Sequence, residues 1–463
     1  MSVNYRYLLP ALLLALPAVY VDQAHAIPAF SREHNTECTT CHTIFPELNE
    51  YGIAFLKNGF VWTKGKTQEM APPKAAPVKK GATANPEEVK GDGDPELLEK
   101  LKASAQTGSG DDELDAPAEM KAAPRKSEPL WLAGLPEKVP LSITGTLNAA
   151  YNEHPADKDK LDLSTRSLSL LAGGVFRDRV SFYAKYNLYA QGAFDPATSN
   201  TPANSTPDIE EVYIVWRKAL DTPINLKIGR FRPTLSLWKK NNKVMVSDFA
   251  TTSYRIGNSL FAVESTEDAL EANAVLGNRL FVAGGIVDRN GQDSKEGYGH
   301  ISFKIGGSDF LGKEPEVDLD KESMWDYFSL TIAGYGYVGR NSISLASNQR
   351  NNFYRAGVDL DAIYKSLRVK LSGVKGRDNN PDFASAIKTD SMVYAAQAEY
   401  MFDVDLMGLV RFEHQDIGTE IIRRYIPAIA YTPIQNTKVT LEYQYESGQA
   451  IDRKTLLGLR VAF

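Results

Sequence analysis

Cysteine is almost missing from this 463-residue chain, which has two, Cys38 and Cys41. A scattered disulfide framework, the usual staple of small exported domains, is thereby excluded. Long hydrophobic runs are missing too: past the first twenty residues, nothing approaches the ~20 consecutive apolar residues of a membrane-spanning helix. Excess basic charge is also absent. Lys and Arg number 52 against 58 Asp and Glu, a formal net charge of -6, and no basic block is dense enough to track a phosphate backbone. The composition therefore argues against a nucleic-acid partner. Aromatic residues make up 10% of the chain, yet none occurs between Thr63 and Leu130. The mean hydropathy of -0.31 resembles that of a soluble protein. A transmembrane β-barrel gives the same average, because lipid-facing residues alternate with lumen-facing ones.

The N-terminus reads as an export signal spanning residues 1–26. Arg6 supplies the positive charge, Leu8 to Tyr20 form a short apolar run interrupted by Pro10 and Pro17, and Ala24-His25-Ala26 is a small-x-small cleavage site. The mature chain is expected to begin near Ile27.

Both cysteines fall in Cys38-Thr39-Thr40-Cys41-His42, the C-x-x-C-H signature of c-type haem attachment. Two thiols on one turn can add to the two vinyl groups of a single haem, which holds the adjacent His42 under the iron as its proximal ligand. One covalent haem c is therefore expected in residues 27–62. A thioredoxin-like pair would want a surrounding βαβ pattern, and a structural zinc site would want two further ligands; neither is present. For the opposite face of the iron the sequence offers His34 upstream and Met70 downstream. A ligand from the barrel interior and an open site, on which an enzyme-like reading would depend, are the other options. His154, His300 and His414 read as loop or lumen residues rather than metal ligands.

Residues 63–138 are rich in Ala, Pro, Lys, Glu, Gly and Asp, and read as a disordered tether with room for one short helix at Pro95 to Ala105. From about Val139 to the C-terminus the pattern changes to period two. Leu141, Ile143, Leu147 and Tyr151 alternate with Ser142, Thr144 and Asn148; Val439, Leu441, Tyr443 and Tyr445 alternate with Thr440, Glu442 and Gln444. Ten-residue segments of this kind, punctuated by turns such as Gly277-Asn278-Arg279, predict an all-β fold over 139–463. The expectation is a transmembrane antiparallel barrel of about sixteen strands, preceded by a small α-helical haem segment. The alternating last segment Leu457 to Phe463, with its terminal aromatic, resembles the assembly signal of outer-membrane proteins. Together with the export signal it predicts contact with outer-membrane lipid. A soluble β-sandwich is the competing reading.

Around the cysteines, Ile27-Pro28-Ala29-Phe30-Ser31-Arg32, Pro46, Leu48, Gly52, Phe55 and Gly59-Phe60 resemble the fused cytochrome–porins, whose best-known members are outer-membrane iron oxidases of iron-oxidising bacteria. The chain departs from that pattern at Glu33-His34-Asn35. The resemblance implies a protein that carries electrons across the outer membrane, taking them from extracellular ferrous iron and passing them to periplasmic c-type cytochromes. The haem segment would lie in the periplasm or inside the barrel. Outward transfer to metal oxides uses the same parts. A solute or anion-selective porin with an accessory haem domain is a different reading, with Lys185, Lys227, Arg230 and Arg411 lining its pore.

Overall fold

The computed structural model describes residues 30, 36–61, 141–153, 160–176, 178–191, 204–205, 207–240, 242–262, 265–288, 295–315, 321–342, 350–384, 387–403, 405–418, 420–434, 436–448 and 451–462. The expected export signal, His34, Met70, the expected tether, His154 and Phe463 lie outside them. Every described residue belongs to one compact unit, Met1–Lys64 with Gly134–Phe463; the second unit, Gly65–Ala133, lies wholly outside the described residues.

The strands follow in chain order. They begin with β1 (Leu141–Asn152), β2 (Leu161–Phe176), β3 (Val180–Gln191), the two-residue β4 (Asn204–Ser205), β5 (Asp208–Trp216) and β6 (Ile224–Phe231). After β7 (Ser253–Ile256) and β8 (Ser259–Ala262) come β9 (Glu267–Leu276), β10 (Leu280–Asp288), β11 (Lys295–Gly306), β12 (Phe328–Ser342) and β13 (Arg350–Tyr364). The last six are β14 (Leu367–Asp378), β15 (Thr389–Asp403), β16 (Leu406–Asp416), β17 (Ile421–Ile434), β18 (Thr437–Ser447) and β19 (Ile451–Ala462). β7 and β8 form a separate hairpin, and β4 adds only a short pairing to β3. The remaining sixteen strands pair antiparallel in sequence order, and β1 closes the sheet against β19. Closure leaves no sheet edge, the condition for a strand-built membrane span. The expected fold class and strand number are both observed. At Gly277-Asn278 the chain takes φ of +53° and +62°, the left-handed pair that a tight hairpin between β9 and β10 requires.

The barrel is inside out relative to a soluble protein. On β11, Ile301, Phe303 and Ile305 are 52%, 48% and 42% exposed, whereas His300, Ser302 and Lys304 are 6%, 1% and 3% exposed. The same reversal recurs on β14, where Leu371 faces out while Arg368, Lys370 and Ser372 are buried. An apolar exterior suits lipid, and the polar interior must find its partners inside the protein.

Two segments supply those partners. The connection from β6 to β9 folds inward, and its backbone is caught by carboxylates of the wall. Asp359 Oδ2 accepts from Leu237 N at 2.7 Å, Glu413 Oε1 from Ala250 N at 3.0 Å, and Glu442 Oε2 from Val246 N at 2.8 Å. Residues 36–61 carry the second set. Lys370 Nζ and Arg368 Nη1, near the start of β14, meet Glu47, the latter at 3.5 Å. Lys304 Nζ, near the end of β11, lies 2.8 Å from Glu50 Oε1. The N-terminal segment thus sits inside the lumen, at the end where β1 begins and β19 finishes.

Apolar contacts complete the seat. Ile44 joins a cluster with Val244, Met245, Met407, Leu409 and Ile426. Phe55 and Phe60 pack with Tyr213, Val215 and Phe231 of β5 and β6, and Phe60 stacks on Tyr183 with centroids 5.8 Å apart.

Burial by itself would raise the Glu47 carboxylate, but Lys370 and Arg368 hold it below its ordinary value of 4.5. A carboxylate lowered on folding contributes stability above its ordinary value, and the contribution is lost as pH falls through the lowered one. Glu47→Gln is expected to cost about 3 kcal/mol, the lower end for breaking a buried pair, since Lys370 keeps Glu399 and Arg368 keeps Asp361. The readout is limited proteolysis of the detergent-extracted protein: faster cleavage within 36–61, barrel fragment intact. In the native protein the same cleavage should appear only in acid. Equal cleavage rates for variant and native protein at pH 7 would refute the role assigned to Glu47.

Candidate cofactor site

The C-x-x-C-H stretch opens on a tight helical turn. Cys38–Thr40 make one turn of 3-10 helix, and the Cys38 carbonyl accepts from Cys41 N at 3.1 Å and from His42 N at 2.9 Å. Both thiols and the imidazole therefore spring from a single turn. Asn49 ties this turn to the helix that follows, α1 (Glu50–Lys57). Its Oδ1 accepts from Gly52 N at 2.9 Å as the N-cap, and its Nδ2 donates to the carbonyls of Thr39 and Thr40 at 3.0 and 3.1 Å. The two pieces touch so closely that a Cβ on residue 52 would lie 2.1 Å from the Cys41 carbonyl oxygen, which accounts for Gly52.

A cavity of about 410 Å³ opens in front of the turn, between residues 36–61, the inward connection and the wall. Cys41 and His42 line it; Cys38 is buried behind them and is not part of the lining. Rings and aliphatic groups of Phe45, Leu48, Phe60, Leu171 and Leu237 form apolar stretches of the surface. Burial pushes the His42 imidazole down to about 4, with the backbone of Glu47 and Pro46 acting against that shift. The ring is therefore neutral near pH 7, with a lone pair available to a metal. Its Nδ1 is buried and makes no hydrogen bond. The arrangement presents one thiol and one imidazole to the cavity, with the second thiol on the same turn beside them.

The other histidines separate from this turn. His300 lines the same cavity, but its Nδ1 lies against the Leu235 carbonyl while its Nε2 makes no hydrogen bond. His414 stacks on Tyr394 with centroids 4.6 Å apart. The four cations expected along the lumen are unequal. Lys185 lies 2.6 Å from Glu210, Arg230 4.0 Å from Asp268, and Arg411 3.1 Å from Glu413. Lys227 has no ion pair among the described residues, and its Nζ lies 4.2 Å from the Tyr213 ring centre and 4.0 Å from that of Phe231.

Sequence reasoning did not single out Glu47, Asn49, Glu50 or Lys57, although they seat and shape the site. A signal was available. The short segment carries Glu47 and Glu50, and the inward positions of β11 and β14 carry Lys304, Arg368 and Lys370, each close to a strand end. Opposite charges on a lumen-sized segment and on a barrel rim are complementary.

No protein-family model matches the sequence, and no curated protein matches it either. Among solved structures, the chain is similar to an anion-selective porin from Comamonas acidovorans, with 10% identity, TM-score 0.50, and coverage of 70% of this chain and 99% of that one. It is also similar to OmpT, an outer membrane protein of Vibrio cholerae in its trimer form, with 12% identity, TM-score 0.48, and coverage of 70% and 99%. The fold is that of a porin-like barrel resembling bacterial outer-membrane proteins, here with an N-terminal segment of the same chain seated in its lumen.

Proposed function

We propose that this protein carries electrons across the bacterial outer membrane through one covalent haem c seated inside its barrel. In this reading it oxidises extracellular ferrous iron and passes the electrons to periplasmic c-type cytochromes. One observation carries the proposal: the C-x-x-C-H turn lies within the wall of the barrel and borders a cavity there.

The residues fit such a group. Cys38 and Cys41 would hold it through thioether bonds and His42 would be its proximal ligand, as two thiols and an imidazole on one turn allow. When bound, the haem would supply a one-electron centre at one end of a barrel whose apolar band, ~25 Å tall, electrons do not otherwise cross. The chain's own residues do the rest. Glu47 and Glu50 hold the segment to the wall, the Asn49 cap and Gly52 set the turn against α1, and the inward connection covers the cavity from the opposite side. Each ferrous ion oxidised outside releases one electron, and one cytochrome is reduced on the other side.

A solute porin is the second reading, favoured by the fold. It needs an open path, whereas residues 36–61 and the β6–β9 connection both occupy this lumen, bonded to its wall.

Two measurements separate these readings. Alkaline pyridine spectra of the purified protein should show one haem per chain, lost in Cys38→Ala/Cys41→Ala; bare thiols in the mature native protein would end the proposal. In vesicles with trapped oxidised cytochrome c, external ferrous iron should reduce the trapped protein through native chains and not through the double variant. A trapped neutral sugar should stay inside. Sugar escape without cytochrome reduction would establish the porin reading.

A further inference from the structure

The cavity contains more positive charge than its neighbours neutralise. Lys57, Lys227 and Lys239 all line it, and among the described residues none of the three has an ion pair. Lys57 Nζ lies 3.6 Å from the Phe281 ring centre, 4.4 Å from that of Phe310, and 3.3 Å from Ser302 Oγ. Lys227 rests on Tyr213 and Phe231 in the same manner. Ring faces attract a cation but do not cancel its charge. The carboxylate acting on both lysines is Glu271, and neutral donors already occupy it: Tyr298 Oη at 2.6 Å, Asn273 Nδ2 at 2.9 Å and Thr234 N at 3.2 Å. Other acids of the lining are taken by their own cations, Glu50 by Lys304 and Glu211 by Arg232.

Uncompensated charge inside a protein is costly. Lys57 feels it directly: burial, then the charges of Lys239 and Lys304, push its ammonium well below the ordinary lysine value. Two cations held on aromatic faces, with Lys239 on the same cavity, describe a place for a pair of carboxylates that the polypeptide does not supply.

We propose that Lys57, Lys227 and Lys239 bind the two carboxylate side chains of the porphyrin attached at Cys38 and Cys41. They are positioning residues, and the inference rests on the haem reading above. A small anion from solution would satisfy the same chemistry, so the test must tell the two sources apart.

The test uses the full-length protein in detergent, with haem content measured first. Lys57→Met, Lys227→Met and Lys239→Gln should each retain one haem. Loss of a cation beside the carboxylates favours the ferric form. At a fixed electrode potential the ferrous-to-ferric ratio should therefore fall about tenfold, or ~59 mV for one electron. Lys57→Arg and Lys227→Arg should restore the native ratio, and phosphate added to the native protein should leave it unmoved. An unchanged ratio in all three haem-containing variants overturns this assignment and leaves the haem reading standing. A native ratio that follows phosphate concentration gives the cluster to a free anion and overturns it as well. Absence of haem from the native protein removes both readings together.

Discussion

Glu47 has no exposed surface, and a carboxylate in that position is tolerable only because Lys370 and Arg368 of the wall meet it. The placing of residues 36–61 leans on that meeting. The turn bearing Cys38, Cys41 and His42 is held to α1 through Asn49 and Gly52, and α1 is held to β11 through Glu50 and Lys304. Without the Glu47 contact the turn would remain well formed, and its place in the barrel would rest on the Glu50–Lys304 pair and the apolar packing. The apolar packing of Ile44, Phe55 and Phe60 is non-directional. The ion pairs give it a register.

A polar lumen is what makes such seating practicable. A lipid-embedded barrel places its apolar residues outside, so a segment entering it meets carboxylates, amides and ammonium groups. An irregular segment has many backbone N–H groups of its own to satisfy. The β6–β9 connection shows the match: Asp359, Glu413 and Glu442 point inward from three different strands and take its amides. What would be unsatisfied polar groups in a soluble core become the anchoring points of an internal loop.

The barrel was legible because its pattern is local. Alternation along β1 and β18 needs only neighbouring residues, and Gly277-Asn278 marks a hairpin by backbone preference alone. C-x-x-C-H was legible for the same reason. The seat was not, since Glu47 and Lys370 are 323 residues apart in sequence and nothing along either segment says that they meet. Lys227 carried part of the signal, having been picked out as a lumen cation. Its distinction from Lys185, which has Glu210 beside it, appears only once the strands are registered. Arg411 looked equally available and is instead committed to Glu413 and to Ser247 of the inward connection.

Commitment of that kind bears on what the barrel can do. A pore that passes solutes keeps charged groups along an open path, with binding weak enough for release. Here the wall's polar groups are largely spent on the protein itself: Lys304, Arg368 and Lys370 on the N-terminal segment, and Asp359, Glu413 and Glu442 on the inward connection. Lys57, Lys227 and Lys239 have no ion pair among the described residues, as is true of Arg460, and all four share a cavity with His42. Internal bonding serves to fill the barrel, and several cations without an ion pair among the described residues line the cavity beside Cys41 and His42. Under the proposed reading the barrel would act as a sheath around a site, and the likeness to porins in fold describes how the wall is built.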